Sequence, residues 1–307
     1  MSTVPEESKD LGFGARVAQQ SRLRLLNPDG SFNARRSGQP LLRSLSSYHL
    51  LLSLPWPRFY ALVVVGYLLT NLAFAYGYWL CGGLDGIAAT DGAGRFAECF
   101  FFSVQTLATI GYGKIAPVGT AAHLLVTLEA LVGMLGFAVA TGILFARFSR
   151  PTADILFSHR AIVAPYRDGK AFQFRIVNAR SNHLTEVEAV VVVTLGNPGM
   201  KGRSFHELKL ERAKVMFLPL HWVVNHAIDE SSPLYGMDAA ALAAQDAEFL
   251  VLIKGVDETF SQTVHVRTSY KHDEILWGVK FRDMFLPPSG DVVEIDVRRL
   301  HDVEPAA

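Results

Sequence analysis

Residues 106–117, TLATIGYGKIAP, form a glycine-containing stretch whose backbone groups could bind an ion. Gly111 and Gly113 flank Tyr112, and Ala116 completes the pattern G-x-G-x-x-A. In dinucleotide-binding folds, glycines at this spacing let N–H groups approach a pyrophosphate at a helix N-terminus. Glycines can equally turn carbonyl groups toward a cation, because they adopt dihedral angles that a β-carbon penalises. The elements around the loop must decide between an anion site and a cation site.

Two long apolar runs flank this loop. Residues 59–80 contain no charged side chain, and only His123 and Glu129 interrupt residues 121–146. About 20 apolar residues are enough for a helix to cross the hydrocarbon core of a bilayer. We therefore predict two membrane-spanning helices, and the first begins too far from the N-terminus to be a cleaved signal peptide.

Arginines near the two runs predict the orientation of the chain. Only Arg95 and Lys114 are cationic in residues 81–119, between the runs. Because Lys and Arg accumulate on the cytoplasmic side, we expect a multi-pass membrane protein with both termini cytoplasmic. The arginines counted near the runs on the cytoplasmic side are Arg35, Arg36, Arg43 and Arg58 before the first run and Arg147, Arg150 and Arg160 after the second.

The segment ahead of the loop argues against a nucleotide site. Residues 96–108, FAECFFFSVQTLA, are apolar but too short to span a membrane, which predicts a re-entrant helix. A dinucleotide fingerprint needs a buried strand before it and an α/β domain around it. Irregular backbone at membrane depth is tolerated where it lines a water-filled path. We therefore expect the carbonyls of residues 109–113 to replace the water around a dehydrated cation.

Each residue of that loop has an expected part. Gly111 and Gly113 supply the unusual dihedral angles, and Thr109 can add its hydroxyl as an inner ligand. Ile110 and Tyr112 are expected to point away from the axis and to brace the loop.

The motif TIGYG resembles the T-V/I-G-Y-G signature of potassium channels. The stretches SYHLLLSLPWPRF, HAIDESSPLYG and TSYKHDEILWG resemble inward rectifier potassium channels, in particular their bacterial KirBac branch. The resemblance implies an α+β membrane protein with a slide helix, two transmembrane helices, a re-entrant pore helix and a cytoplasmic immunoglobulin-like β-sandwich. A filter with one loop per chain also implies a homotetramer. The resemblance further implies potassium ions bound in the filter, no cofactor, and a location in the cell (inner) membrane.

The expected domains are a cytoplasmic arm at 1–43, a slide helix and pore domain at 44–150, and a regulatory β-sandwich at 151–307. The runs AFQFRIVNAR, VEAVVVVTL, EFLVLIKG and TVHVRTSY read as short strands between turn signals, which favours a sandwich. A helical insertion is predicted at about 238–245. The arm to about Gly38 is polar, and we expect it to be partly disordered.

Four residues of the second span recur at helical spacing: Gly133, Phe137, Thr141 and Phe145. In four copies this stripe can line the pore, while packing against the first span is the alternative for each residue. The resemblance makes Gly133 a hinge and Phe145 a gate that blocks ions by dewetting. Strong rectifiers of animal cells carry an acid at the position of Phe137, so weak rectification from the cavity is expected.

Glu129 and Gln105 are expected to support the filter. An acid within a span is costly and marks a functional position by default. Glu129 should lie level with the filter and brace the pore helix. At Gln105 some relatives carry a glutamate, and the neutral amide can still form a hydrogen bond there.

Arg43, Arg58, Arg147 and Arg150 are candidate ligands of anionic phospholipids or phosphoinositides. Arg43 and Arg58 flank the predicted slide helix, residues 47–54, and Arg147 and Arg150 follow the second span. The alternative is that these arginines only fix the topology. In the bacterial branch, the resemblance implies that phosphoinositides inhibit.

Other functions find little support. Lys plus Arg equals Asp plus Glu, at 29 each, so charge gives no reason to expect nucleic acid as a partner. No nucleophile elbow, phosphate loop or paired-acid site indicates an enzyme, and no histidine pair has metal-site spacing. Cys81 and Cys99 are expected to be free thiols. The alternative to a potassium channel is a membrane-anchored β-domain receptor whose pore is vestigial or nonselective.

Overall fold

The computed structural model describes residues 24–33, 47–149, 154–180, 182–196, 202–218, 220–287, 291 and 293–306. These residues fall into two compact units. The helical unit lies within Ser37–Arg150, and the β unit lies within Met1–Arg36 and Pro151–Ala307.

The helical unit contains the helices α1 (Ser47–Ser53), α2 (Trp56–Cys81), α3 (Gly92–Leu107) and α4 (Thr120–Phe148). Both α2 and α4 are long and apolar enough to cross a membrane. Only 17% and 6% of their most apolar windows are buried within the chain, so they are not the core helices of a soluble protein. They extend the predicted spans by one to three residues at each end.

The two shorter helices differ from the prediction at their ends. Helix α3 begins four residues earlier than expected because Asp91 caps it, accepting the N–H of Gly94 at 2.9 Å. Helix α1 ends at Ser53, one residue early, since the residue before Pro55 is disfavoured in the α conformation.

A short antiparallel pair connects the two sides of the loop at residues 109–113. Strand β1 (Leu84–Asp85) precedes α3, and strand β2 (Ala116–Pro117) precedes α4. Gly86 follows β1 with a φ of +86°, and a β-carbon there would lie 2.1 Å from the carbonyl oxygen of Lys114. Glycine is therefore required for this close approach.

In its described residues, the β unit consists of strands, one short α-helix, α5 (Ala239–Ala244), and two 3-10 helices, His272–Glu274 and Val297–His301. Helix α5 lies in the predicted helical insertion. Its strands are β3 (Ile155–Phe157), β4 (Ala161–Tyr166), β5 (Gly169–Asn178), β6 (Leu184–Gly196), β7 (Arg203–Glu207), β8 (Lys214–Phe217), β9 (His221–Ile228), β10 (Glu248–Asp257), β11 (Gln262–Lys271), β12 (Ile275–Trp277), β13 (Val279–Phe281) and β14 (Val303–Pro305).

Two five-stranded sheets enclose the main core. One has the order β11-β10-β6-β7, with β8 also paired to β6, and the other has the order β12-β4-β5-β3, with β9 paired to β5. Phe172 of the second sheet stacks on Phe249 of the first, with ring centroids 4.3 Å apart. Burial of side chains from both sheets in one cluster stabilises the pair of sheets. The predicted β-sandwich is confirmed.

Residues 24–33, which belong to the segment expected as a cytoplasmic arm, pack on the β unit. Leu25 and Leu26 are buried in a second cluster with Val192, Phe205 and Leu250. A bridge between Leu26 and Phe32 closes the segment into a tight turn.

Candidate ion-conduction site

The loop at residues 109–113 alternates its backbone conformation. Thr109, Gly111 and Gly113 have φ values of +57°, +60° and +78°, while φ is not positive at Ile110 and Tyr112. Such alternation turns successive carbonyl groups toward the same side of the chain. Glycine accepts the left-handed region freely, but threonine pays about 1 kcal/mol or more. The strained Thr109 was not anticipated from the sequence.

Helix α3 holds the start of the loop. The N–H of Ile110 donates to the carbonyl of Gln105 at 2.7 Å, and the N–H of Thr109 donates to the carbonyl of Thr106 at 3.0 Å. Gln105 thus contacts the loop through its backbone. Among the described residues of one chain, its side-chain amide forms no hydrogen bond, so its predicted support of the filter stays a prediction.

The side chains of the loop have few neighbours in their own chain. Tyr112 is 77% exposed and Ile110 is 49% exposed. A β-carbon added at Gly111 or Gly113 would have no atom within 4 Å, so the need for glycine comes from the dihedral angles alone. Bracing of this loop by Ile110 and Tyr112 requires atoms from outside one chain.

Glu129 is fully buried at the meeting point of three helices. The hydroxyl of Tyr78 on α2 donates to Glu129 Oε2 at 2.6 Å, and the hydroxyl of Ser103 on α3 donates to Oε1. Ser103 also lies 3.1 Å from Asn71 Oδ1. All four side chains are at most 1% exposed. Sequence reasoning found Glu129 alone, although Asn71, an amide in an uncharged run, was an available signal.

Gly133 allows α4 to approach the end of α3. A β-carbon at Gly133 would lie 2.5 Å from the carbonyl oxygen of Leu107 and 3.1 Å from its Cδ1. This contact favours the packing role over the hinge role that the resemblance implied. Hinge motion at Gly133 stays a prediction.

The remaining predicted pore residues lie on an open part of α4. Phe137 and Phe145 are 77% and 72% exposed, and Thr141 between them is exposed as well. Of the α4 residues, only Ala122 and Glu129 are buried in one chain. A helix that exposes so many apolar side chains must be covered by lipid or by other chains.

Arg147 contacts its own chain closely. Its guanidinium donates to the carbonyl of Leu51 and, at 2.6 Å, to the carbonyl of Leu54. The same group lies over the rings of Trp56 and Phe59, at 4.5 and 4.6 Å from their centroids. Arg147 therefore connects the end of α4 to the free carbonyls at the end of α1.

The other lipid-binding candidates are less defined. Arg58 is exposed at the start of α2. Arg43 and Arg150 lie outside the described residues. The structure thus brings one of the four arginines, Arg147, into a set of contacts that sequence reasoning missed.

A buried carboxylate anchors residues 24–33 to the β unit. Glu248 accepts the N–H of Leu25 at 3.0 Å and the N–H of Leu26 at 3.1 Å, and Arg203 Nη1 lies 3.3 Å away. Arg24 forms an ion pair with Glu274 at 2.8 Å. Nothing in the sequence near Leu25 indicated these partners.

His226 is buried in the β unit with both ring nitrogens paired. Nδ1 lies 2.8 Å from the carbonyl of Lys209, and Nε2 lies 2.7 Å from the hydroxyl of Ser232. A carbonyl only accepts, so Nδ1 donates to Lys209 and Nε2 accepts from Ser232. Burial lowers the pKa of His226, because it disfavours the charged ring.

Comparison with known proteins places the chain in a family. Residues 155–306 match the model of the inward rectifier potassium channel C-terminal domain, and residues 62–150 match an ion channel model. The chain is 42% identical over 284 residues to inward rectifier potassium channel Kirbac3.1 of Paramagnetospirillum magnetotacticum, covering 91% of this chain and 95% of that protein.

Animal channels are also similar. G protein-activated inward rectifier potassium channel 3 of Mus musculus is 28% identical over 309 residues, covering 92% of this chain and 78% of that protein. Inward rectifier potassium channel 4 of Homo sapiens is 32% identical over 224 residues, covering 67% of this chain and 49% of that protein. The chain therefore belongs to the inward rectifier potassium channel family, in its prokaryotic KirBac branch.

Proposed function

We propose that four copies of this chain form a potassium-selective pore whose filter is residues 109–113. The observation that carries the proposal is the positive φ at Thr109, Gly111 and Gly113, in a loop that follows α3 and lies between two membrane-spanning helices. One chain supplies one loop, and several loops must surround a cation to replace its water shell. A homotetramer that binds potassium ions in the filter, without a cofactor, meets this requirement.

The conduction path continues along the open part of α4. Phe137, Thr141 and Phe145 are spaced four residues apart and are exposed in one chain, so four copies can face a common axis. The ring of Phe145 near the end of α4 forms the gate, because a narrow apolar constriction excludes water and ions. Phe137 carries no charge, so steep voltage-dependent block by internal spermine is not expected.

Anionic lipids modulate this gate in the proposal. The channel lies in the inner membrane, with its termini and its β unit on the cytoplasmic side. Helix α1 and Arg58 then lie at the cytoplasmic leaflet. Arg147 transmits a shift of α1 to α4 through the carbonyls of Leu51 and Leu54. Arg43 and Arg150 are the further proposed contacts for phosphoinositide headgroups.

Radioactive rubidium uptake into proteoliposomes tests the pore. With potassium inside the vesicles, we expect uptake that barium blocks. Gly111→Ala should abolish selective uptake because alanine is strained at a φ of +60°. Gly66→Ala is the matched control, since nothing lies within 4 Å of a β-carbon there. Absence of uptake in every lipid would favour a receptor with a vestigial pore.

The same assay tests separately whether anionic lipids modulate the gate. Added phosphoinositide should reduce rubidium uptake, as the KirBac resemblance implies. Uptake that phosphoinositide leaves unchanged would contradict the lipid part and leave the pore intact.

A further inference from the structure

The helical unit contains a cavity that the proposed pore does not use. It has a volume of about 310 Å³ and lies between the end of α2, the segment before α3 and the first turns of α3. Tyr78 and Trp79 form an aromatic wall, Thr90 and Arg95 supply polar groups, and Cys99 lies at the buried side.

Aromatic residues place the cavity at the membrane surface. Tyr76 and Trp79, near the end of α2, are 54% and 46% exposed, and their rings stack with centroids 6.1 Å apart. Exposed Tyr and Trp near the end of a membrane-spanning helix mark the level of the lipid headgroups. The cavity therefore lies at headgroup depth, on the membrane face that carries residues 82–119.

Arg95 brings an unneutralised cation to this cavity. Asp91 and Glu98 lie at helical spacing from Arg95, but both carboxylates accept backbone N–H groups instead. Asp91 accepts Gly94 at 2.9 Å, and Glu98 accepts Ala88 at 2.9 Å and the next residue at 3.2 Å. Among the described residues, no carboxylate lies within 4 Å of the Arg95 guanidinium. An arginine in this state fits a phosphate, which it can bind through two parallel hydrogen bonds.

We propose that this cavity binds the headgroup of an anionic phospholipid from the leaflet on the side of residues 82–119. The lipid phosphate pairs with Arg95, the hydroxyl of Thr90 donates a further hydrogen bond, and the acyl chains run along the Trp79 side of α2. The assignment to the outer leaflet rests on the proposed topology of the channel. The pairing with Arg95 does not depend on conduction.

The buried thiol of Cys99 reports on the occupancy of the cavity. The chain has two cysteines, so Cys81→Ser leaves Cys99 as the single target. We would measure the alkylation rate of Cys99 by a small maleimide, with the full-length protein in vesicles of phosphatidylcholine alone or mixed with phosphatidylglycerol. Phosphatidylglycerol should slow the reaction about fivefold. This factor is the gain in affinity that one arginine near an anionic lipid surface contributes.

Variants and controls make the result decisive. Arg95→Gln should remove the protection, whereas Lys114→Gln, the other cation on that side, should retain it. Equal rates in the two lipids, or protection that survives in Arg95→Gln, would overturn the proposal. So would equal protection by inorganic phosphate, which would indicate a free-anion site, or a thiol unreactive in phosphatidylcholine, which would indicate a closed cavity. If the protein showed no rubidium uptake but phosphatidylglycerol still protected Cys99, the proposed channel function would be contradicted and the lipid site would not.

Discussion

Tyr78 and Glu129 join the two membrane-spanning helices through one buried hydrogen bond of 2.6 Å. The same carboxylate accepts from Ser103, so α2, α3 and α4 meet on a single acid. When a buried acceptor loses its donor, the loss of folding free energy exceeds the net contribution of the hydrogen bond. This network therefore fixes α3, and the loop that follows it, between the two spans.

Loss of the Tyr78 hydroxyl should weaken the helical unit. Tyr78→Phe leaves Glu129 with one donor fewer, which we expect to cost about 1–3 kcal/mol. Thermal unfolding of the full-length protein in detergent measures the effect. Tyr76→Phe on the same helix is the control, since Tyr76 is 54% exposed. Equal melting temperatures for the two variants would contradict a structural role of this bond.

A methyl group at Gly133 should displace α3. Gly133→Ala places a β-carbon 2.5 Å from the carbonyl of Leu107, and overpacking of this kind costs about 1–3 kcal/mol. We expect lower stability and reduced rubidium uptake. Gly136→Ala, where no atom lies within 4 Å, should retain both. A hinge without tight packing would instead leave the stability of Gly133→Ala unchanged.

Glu248 should control the attachment of residues 24–33. Glu248→Gln removes the charge that accepts the N–H groups of Leu25 and Leu26, and a hydrogen bond to a charged group is worth about 1.5–3 kcal/mol. Amide hydrogen exchange at these two leucines should accelerate about tenfold or more. Glu188→Gln, which removes a half-exposed carboxylate, should have no effect there. Unchanged protection in Glu248→Gln would show that apolar packing alone holds the segment.

The stability of the β unit should fall in mild acid. Burial lowers the pKa of His226 below its ordinary value of 6.5, so the unfolded chain binds a proton that the folded ring excludes. The contribution of His226 is complete above about pH 6.5 and declines as the pH falls below it. Denaturant unfolding at pH 7.5 and 5.5 measures this difference.

Replacement of the ring isolates its share of that pH dependence. His226→Gln should reduce the difference without removing it, because burial also lowers the pKa of His221 and His301. An unfolding free energy that is equal at the two pH values in the wild-type protein would contradict the assignment.

The two spans and the irregular loop at residues 109–113 were predictable because their signals are local. Uncharged runs define α2 and α4, and the spacing of Gly111 and Gly113 indicates an exposed backbone in the loop. The left-handed Thr109 was not predictable, since the hydrogen bonds that end α3 fix it.

Long-range partners could not be derived from the sequence. Glu129 meets Ser103 and Tyr78, which lie 26 and 51 residues earlier in the chain. Arg147 was predicted as a lipid ligand from its position after a span, yet it contacts the carbonyl of Leu51, 96 residues earlier. Contacts of this kind depend on how the helices pack, and no residue pattern near Arg147 encodes them.

We propose that residues 109–113 select potassium over sodium. The most direct measurement is the reversal potential of channels in planar bilayers that separate potassium from sodium solutions, for the wild-type protein, Gly111→Ala and Gly66→Ala. The wild-type and Gly66→Ala channels should reverse near the potassium equilibrium potential, and Gly111→Ala should lose this selectivity or conduct no current. A wild-type reversal potential that does not depend on the potassium gradient, or one that Gly111→Ala leaves unchanged, would contradict this proposal.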